Sequence, residues 1–326
     1  MRPTYDLSIV IVNWNSKEFL RRCLTSIEVG MPDTRYETIV IDSGSFDGCA
    51  EMLRSEFARV KFIQSFANIG FARANNVAFR ASVGHHVLFL NPDTEVVGSA
   101  IDILMRRMRE LPNAGAVGCR LLNVDGSVQD TCIQAFPTIL SQFLNSRLLR
   151  SACPRWAMWG MAALFGENTA AARVEVISGA CMLMRRCTFE QVGLFSDDYF
   201  MYAEDLDICH KLREAGYSNY FVNEARIFHF GGGSSDQAGS EFSVVMMRES
   251  IWRFLIKTRG TAYGAAYRAS TFVQAVIRLL LLIGLWPLQT LRRRAAAWQA
   301  SFRKWRAILI WSLGHHGNRA AARPSP

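Results

Sequence analysis

The sequence predicts an α/β protein built on an open, mostly parallel, doubly wound sheet, continued by a helical, basic C-terminal extension that associates with a membrane surface. Three observations predict it. Short apolar runs alternate with helix-period segments through the first hundred residues, as β-α units do. Each run stops in a corner rich in Asn, Asp and Gly, at the sheet edge where open α/β folds bind ligands. The charge is also divided. The chain carries +9 overall, but residues 244–326 hold 14 Lys and Arg against one acid, Glu249, which leaves residues 1–243 at −4.

The first unit is Leu7-Ser-Ile-Val-Ile-Val-Asn-Trp-Asn15, a buried strand and its corner, followed by Phe19, Leu20, Cys23, Leu24 and Ile27 at helical spacing. Residues 37–41 repeat the design and end in Asp42-Ser-Gly-Ser-Phe-Asp-Gly48. A third strand, 60–63, leads to Asn68-Ile-Gly-Phe-Ala-Arg-Ala-Asn-Asn76, which opens another helix. The fourth strand, 87–90, is stopped by Asn91-Pro92-Asp93, because proline cannot donate to a sheet ladder. Taken alone, Asp93 reads as a turn acid capping the helix at 98–110. The company it keeps argues otherwise. All four corners fall on one edge, and each supplies a group suited to a nucleotide diphosphate. Trp14 offers a flat face for a base, Asp42 an acceptor for an imide N–H, Asn68 and Arg73 hydrogen bonds or charge for phosphate or sugar, and Asp93 a metal ligand.

Further on, a strand at 115–121 precedes the turn Asn123-Val-Asp-Gly126 and an extended piece to Phe136. Residues 138–172 show no period. The run 176–186 reads as one strand whose Gly179 and Ala180 permit close approach of a ligand. Glu204, Asp205 and Asp207 crowd the start of a helix ending at Gly216. One acid satisfies a helix dipole, so three suggest a general base. His229 ends a strand beside Gly231, Gly232 and Gly233, where backbone could close over phosphates.

With 326 residues and 50% apolar composition the chain folds around a sizeable core. Its eight cysteines are scattered without a C-x-x-C pair, as suits thiols in a reducing compartment. No charged n-region or cleavage site marks a signal peptide at the start. Neither G-x-G-x-x-G nor a Walker-type G-K-[ST] is present, so dinucleotide and P-loop readings lose their support.

As a set, Ile9-Val-Ile-Val-Asn-Trp-Asn15, Ile41-Asp-Ser-Gly-Ser-Phe-Asp-Gly48, Asn68 to Asn76, Leu90-Asn-Pro-Asp-Thr94, Ser178-Gly-Ala-Cys-Met-Leu-Met-Arg-Arg186, Tyr202-Ala-Glu-Asp-Leu-Asp207 and His229-Phe-Gly-Gly-Gly-Ser234 resemble the inverting family 2 glycosyltransferases of the GT-A fold, in their rhamnosyltransferase-like branch. The likeness runs from residue 6 to about 260. It implies a Rossmann-like GT-A domain over 1–240, with a nucleotide half 1–112 and an acceptor half 113–240; the charge division sets apart a basic amphipathic tail over 241–326. It implies that Trp14 and Asp42 hold the pyrimidine base, with Asn13, Asn68, Arg73, Asn91 and Gly179 completing the donor site. It implies Asp93 and His229 as ligands of Mg2+ or Mn2+, and Asp205, beside Glu204, as the catalytic base. Asn91 stands where the family's first D-x-D acid usually lies, which implies a weakly held metal that arrives with the nucleotide. Glu175-Val176 departs from the family's acidic-aromatic pair.

In the tail, residues 272–291 are nearly continuously apolar but broken by Gln274, Arg278 and Pro287, and Arg292-Arg-Arg294 follows. Trp298, Phe302, Trp305 and Leu309 share one face of a last helix whose other faces carry Arg303, Lys304 and Arg306. This pattern fits a helix lying in a membrane interface rather than crossing it; it does not fit nucleic acid, since the cations interleave with long apolar runs. The expectation is a peripheral enzyme on the cytoplasmic face of the inner membrane. It would move rhamnose from a deoxythymidine-diphosphate donor to a glycan acceptor carried on a polyprenyl diphosphate, in cell-surface polysaccharide synthesis. A UDP-hexose or UDP-galactofuranose donor, or a scaffold that only binds nucleotide sugar, stays open at this point.

Overall fold

The computed structural model describes residues 5–30, 34–166, 171–231, 241–286 and 295–314. Gly232, Gly233 and Ser234 of the glycine loop, Pro287 and Arg292 to Arg294 lie outside them. The chain forms two compact units, one from residues 1–136 and 148–234, the other from 137–147 and 235–326.

The first unit begins with three β-α repeats: β1 (Leu7–Asn13), α1 (Lys17–Gly30), β2 (Tyr36–Ser43), α2 (Cys49–Glu56), β3 (Lys61–Ser65) and α3 (Phe71–Arg80). β4 (His86–Leu90), β5 (Thr94–Val96), α4 (Ala100–Glu110) and β6 (Ala114–Leu122) follow. β1 is buried at every residue, so it sits in the sheet centre with both faces covered. α1 buries Leu20, Cys23, Leu24 and Ile27, the apolar stripe its spacing predicts. β4 is followed by a turn and then β5, and α4 takes Ser99 at its N-cap, so Asp93 is not that helix's cap.

After β7 (Ile133–Gln134), the segment without a period folds as short pieces: α5 (Ile139–Leu144), α6 (Arg147–Ala152) and two 3-10 turns, Ala157–Trp159 and Ala162–Phe165. Six-residue helices are shorter than the window in which periodicity can be read. α5 is instead marked by a capping box, with Ser141 N–H donating to Thr138 Oγ1 at 3.0 Å.

The predicted single strand at 176–186 is divided by a turn into β9 (Val176–Ile177) and β10 (Cys181–Arg185), preceded by β8 (Ala172–Val174). α7 (Arg186–Gln191), α8 (Glu204–Glu214) and β11 (Ser218–His229) complete the unit. The main sheet runs β3-β2-β1-β4-β10-β6-β11-β5, with β8 on β11. β3, β2, β1 and β4 are mutually parallel, as are β6 and β11; β10 enters antiparallel to both β4 and β6.

The second unit holds α9 (Glu241–Arg259), α10 (Thr261–Gly284) and α11 (Ala295–Ser312) together with α5. The Gln274 amide donates to Gln142 O at 3.1 Å, and Arg268 lies between the Trp252 and Trp311 rings. α10 is long and apolar enough to cross a membrane by length and composition, and only 22% of its most apolar stretch is buried within the chain. It is therefore not a core helix. Leu280, Leu281 and Ile283 are each more than half exposed.

Asn76 on α3 donates from Nδ2 to Phe195 O at 2.8 Å and accepts from Phe195 N–H at 3.2 Å, fastening the chain that leads into α8. Asn76→Ala leaves two buried backbone groups unpaired, and is expected to cost about 1–3 kcal/mol in chemical denaturation. An unchanged denaturation midpoint would show that the clamp carries no stability.

Candidate active site

Strand register gathers the site. Asn13 pairs with Asp42, and Ile11 with Leu90, so the carboxyl ends of β1, β2 and β4 lie level. Cys181 opposes Leu90, and Asn91 N–H donates to Ala180 O at 3.0 Å, which lays the Ser178-Gly179-Ala180 turn beside the Asn91-Pro92-Asp93 corner. His229 pairs with Thr94 and so ends next to Asp93.

At the first corner, Asp42 is fully buried. It accepts from Asn13 Nδ2 (2.8 Å), Gln64 Nε2 (2.7 Å), the Ser45 and Phe46 N–H groups (3.1 Å each) and the Ser45 hydroxyl. Burial alone would raise its pKa, but these donors outweigh it and hold the carboxyl below the usual range. Asp42 is therefore a fixed anion that shapes the loop. Trp14 is half-buried on the same loop. Asp42, Asp47 and Cys49 place ligand atoms within 4.8 Å of one another. The Asn13 amide lies between the two carboxylates, Asp47 also accepts from Lys17 and Cys49 N–H, and burial pushes the Cys49 thiol up, so this group is a hydrogen-bonded loop rather than a cation cage.

Asn68 Oδ1 accepts from Gly70 N–H at 3.0 Å and Ser43 Oγ at 3.3 Å, which shapes its own turn. Gly70 has φ +81°, and a Cβ there would stand 2.5 Å from Phe200 O. Arg73 is exposed and pairs with Asp197 at 3.5 Å. Arg73, together with Phe71 N–H donating to Phe200 O at 2.8 Å, ties the third corner to the chain before α8; no described contact brings Asn68 or Arg73 to Asp93 or Asp205.

The second group is Asn91, Asp93 and His229. His229 Nε2 lies 3.4 Å from Asp93 Oδ1 and 3.4 Å from Asn91 Nδ2. Asn91 Oδ1 is buried without a hydrogen-bond partner, which a buried carboxamide oxygen seldom is. One carboxylate, one orphaned amide oxygen and one imidazole nitrogen fit a hard divalent cation that keeps several positions for other oxygens. Sequence reasoning missed Gln129, whose side chain bonds both the His229 ring and its carbonyl. A single Gln in a loop carries no signal until the fold places it.

The third group is Gly179, Glu204 and Asp205. Asp205 accepts from Leu206 N–H at 2.8 Å and Gly179 N–H at 3.4 Å. Glu204 is buried with Oε2 unpartnered. Burial, and next the charge of Asp205, push the Glu204 carboxyl up to about 8. Burial also raises Asp205, against its two backbone donors. Asp207 belongs elsewhere: it accepts from Ser196 Oγ at 2.6 Å and Tyr199 OH at 3.3 Å. Just ahead of the pair, Tyr202 (φ +69°) and Ala203 (φ +62°) both occupy left-handed backbone, at about 1–3 kcal/mol each.

Residues 8–193, more than half the chain, match the family described as Glycosyl transferase family 2. The chain belongs to that family. It is a glycosyltransferase, and its mixed, mostly parallel sheet is the GT-A fold. The N-acetylglucosaminyl-diphospho-decaprenol L-rhamnosyltransferase of Mycobacterium tuberculosis is 29% identical over 237 residues, covering 68% of this chain and 75% of that one. Rhamnosyltransferase WbbL of Escherichia coli K12 is 25% identical over 232 residues, covering 68% and 82%. Among solved structures, the mannosyltransferase PcManGT of Pyrobaculum calidifontis, in complex with GDP-Man and Mn2+, has TM-score 0.56 at 15% identity, covering 96% and 87% of the two chains.

The raised Glu204 carboxyl has a pH signature. A carboxyl lifted from 4.5 to about 8 binds its proton in the folded state over that window. Its stabilising contribution is full below pH 4.5 and is lost as pH rises through 8. Glu204→Gln, which cannot ionise, should flatten that part of the wild-type decline in denaturation curves taken between pH 5 and 9. Parallel wild-type and variant curves would refute the buried neutral acid.

Proposed function

We propose that this glycosyltransferase is a metal-dependent, inverting rhamnosyltransferase that takes its sugar from a deoxythymidine-diphosphate donor and extends a cell-surface glycan precursor carried on a polyprenyl diphosphate. The rhamnosyl reading is supported by the names of the Mycobacterium and Escherichia relatives. The observation that carries the chemistry is the unequal environment of Glu204 and Asp205. Two adjacent carboxyls, one buried and one half-buried, do not readily ionise together. The two backbone N–H bonds go to Asp205, whereas Glu204 Oε2 has none, so the first negative charge settles on Asp205 and Glu204 stays neutral.

Asp205 is then the base. It takes the proton of the acceptor hydroxyl as that oxygen forms its bond to the anomeric carbon, while the bond to the diphosphate breaks on the opposite face and its electron pair leaves with the phosphate. Burial makes Asp205 a stronger base than a solvated aspartate. Asn91 Oδ1, Asp93 and His229 Nε2 would hold Mg2+ or Mn2+. When bound, the cation supplies positive charge to the departing diphosphate. Trp14 offers its face to the base from a loop that Asn13 and Asp42 hold in shape, Asn68 and Arg73 border the donor site, and Gly179 leaves room over the acids for the sugar. The exposed apolar side of α10 and the basic surplus of the tail suit a peripheral seat on the cytoplasmic face of the inner membrane, where such an acceptor would be presented.

Asp205→Asn should lower transfer about 10²–10⁴-fold with dTDP binding by calorimetry nearly unchanged; lost binding in a folded variant would sink the base assignment. Asp93→Ala should weaken dTDP binding in Mn2+ and leave the value measured in chelator alone. If chelator does not alter wild-type binding, the metal role is wrong. Serine at Leu280, Leu281 and Ile283 together should release the protein from vesicles containing anionic phospholipid; unchanged co-sedimentation would remove α10 from the membrane contact.

A further inference from the structure

His229 is the nitrogen donor of the Asn91–Asp93 corner, and an imidazole nitrogen can serve as a ligand only when it carries no proton. Which nitrogen is bare is decided by the hydrogen bond that the other one makes. Here the deciding group is Gln129. Its Nε2 donates to the His229 backbone carbonyl at 2.6 Å, and its Oε1 lies 2.8 Å from His229 Nδ1. A backbone carbonyl only accepts, so the amide nitrogen must lie on that side and the amide oxygen against the ring. An amide oxygen cannot donate, so the proton resides on Nδ1. In the neutral form of the ring Nε2 is then the bare nitrogen, and it faces Asp93 Oδ1 and Asn91 Nδ2, each at 3.4 Å.

We propose that Gln129 is a positioning residue: its two-point clamp holds His229 in the Nδ1-protonated tautomer and aims Nε2 at the divalent cation that accompanies the nucleotide diphosphate. This rests on the metal reading of Asn91, Asp93 and His229, and adds the group that keeps the imidazole fit to ligate.

The clamp is mounted on rigid backbone. The Asn123-Val-Asp-Gly126 turn closes by Asn123 N–H to Ser127 O at 2.8 Å and Gly126 N–H to Asn123 O at 2.9 Å. Within it the Asp125 carboxylate accepts from Ser127 N–H at 2.9 Å, and Leu122 bridges to Val128. Gln129 itself donates its N–H to Leu121 O at 2.9 Å and accepts from Cys132 N–H at 3.3 Å. Its partner is equally fixed, because His229 pairs with Thr94 on β5 and Phe230 N–H donates to Asp93 O at 2.9 Å. The turn on β6 thus has a task that its sequence does not announce: it delivers one amide to the far side of the imidazole. Neither face of that amide is interchangeable, since a carboxylate in its place would meet the His229 carbonyl with another acceptor.

The test has two readouts that do not need turnover. Nitrogen-15 NMR of metal-free wild type should show His229 protonated at Nδ1, the tautomer that free imidazole disfavours in water; protonation chiefly at Nε2 would overturn the clamp. Gln129→Met keeps the length and removes both hydrogen bonds. It should shift His229 toward Nε2 protonation and, with dTDP present, weaken Mn2+ binding by about 10–100-fold by electron paramagnetic resonance. A variant that binds Mn2+ as wild type does would overturn the positioning role. Wild type that binds no Mn2+ with dTDP would instead sink the metal reading, a result separate from the tautomer measured on the apo protein. Should Gln129→Met fail to fold, the wild-type tautomer and Gln129→Glu, which can accept from Nδ1 but cannot donate to the carbonyl, decide the same question.

Discussion

The antiparallel seat of β10 between β4 and β6 is the constraint on which the rest of the site depends. A parallel neighbour of β4 would bring its own carboxyl end, and another crossover, to this edge. β10 instead begins at this edge, so the turn just before it lies where β4 stops. The pairing of Cys181 with Leu90 and the Asn91 N–H bond to Ala180 O then fix Gly179, and through Gly179 N–H the Asp205 carboxylate, relative to the Asn91–Asp93 corner. A one-residue slip would turn every β10 side chain to the other face. Met182, Leu183 and Met184 are fully buried, so both faces of β10 are packed.

Around that frame, three acids of the same chemical type acquire different characters from their surroundings. Asp42 is buried but saturated with donors and remains an anion. Asp205 is half-buried, with two backbone donors and a neutral acid beside it. Glu204 is buried with an unpartnered oxygen, and holds its proton. Desolvation acts on all three, so what separates them is the number of donors the loop geometry aims at each. The GT-A frame fixes those loops, and the chemistry follows from the donors.

Much of this was legible in the sequence, for a physical reason. A strand buried on both faces is a run of apolar residues, and β1 and β4 are such runs; the corners after them carry Asn, Asp and Gly because little else turns a chain there. Strand direction leaves no such trace, since alternation and apolarity read the same both ways, and so β10 was not distinguishable from a parallel strand. α5 and α6 were invisible because one and a half turns cannot display a period. Asp93 was ambiguous until Ser99 was seen at the N-cap of α4. Gln129 was silent because its meaning depends on a histidine 100 residues away.

The two left-handed residues ahead of α8 have a consequence for how this family member can vary. Tyr202 and Ala203 hold backbone that glycine would adopt without strain, so the cheapest route to a sturdier fold passes through the peptide units that aim Glu204 and Asp205. A lineage pressed toward heat tolerance would meet a conflict at this bend, because a slacker hinge gains stability while letting the carboxylate pair drift. Any side chain beyond glycine at these two positions narrows the backbone leading into Glu204 and Asp205, at a cost in stability.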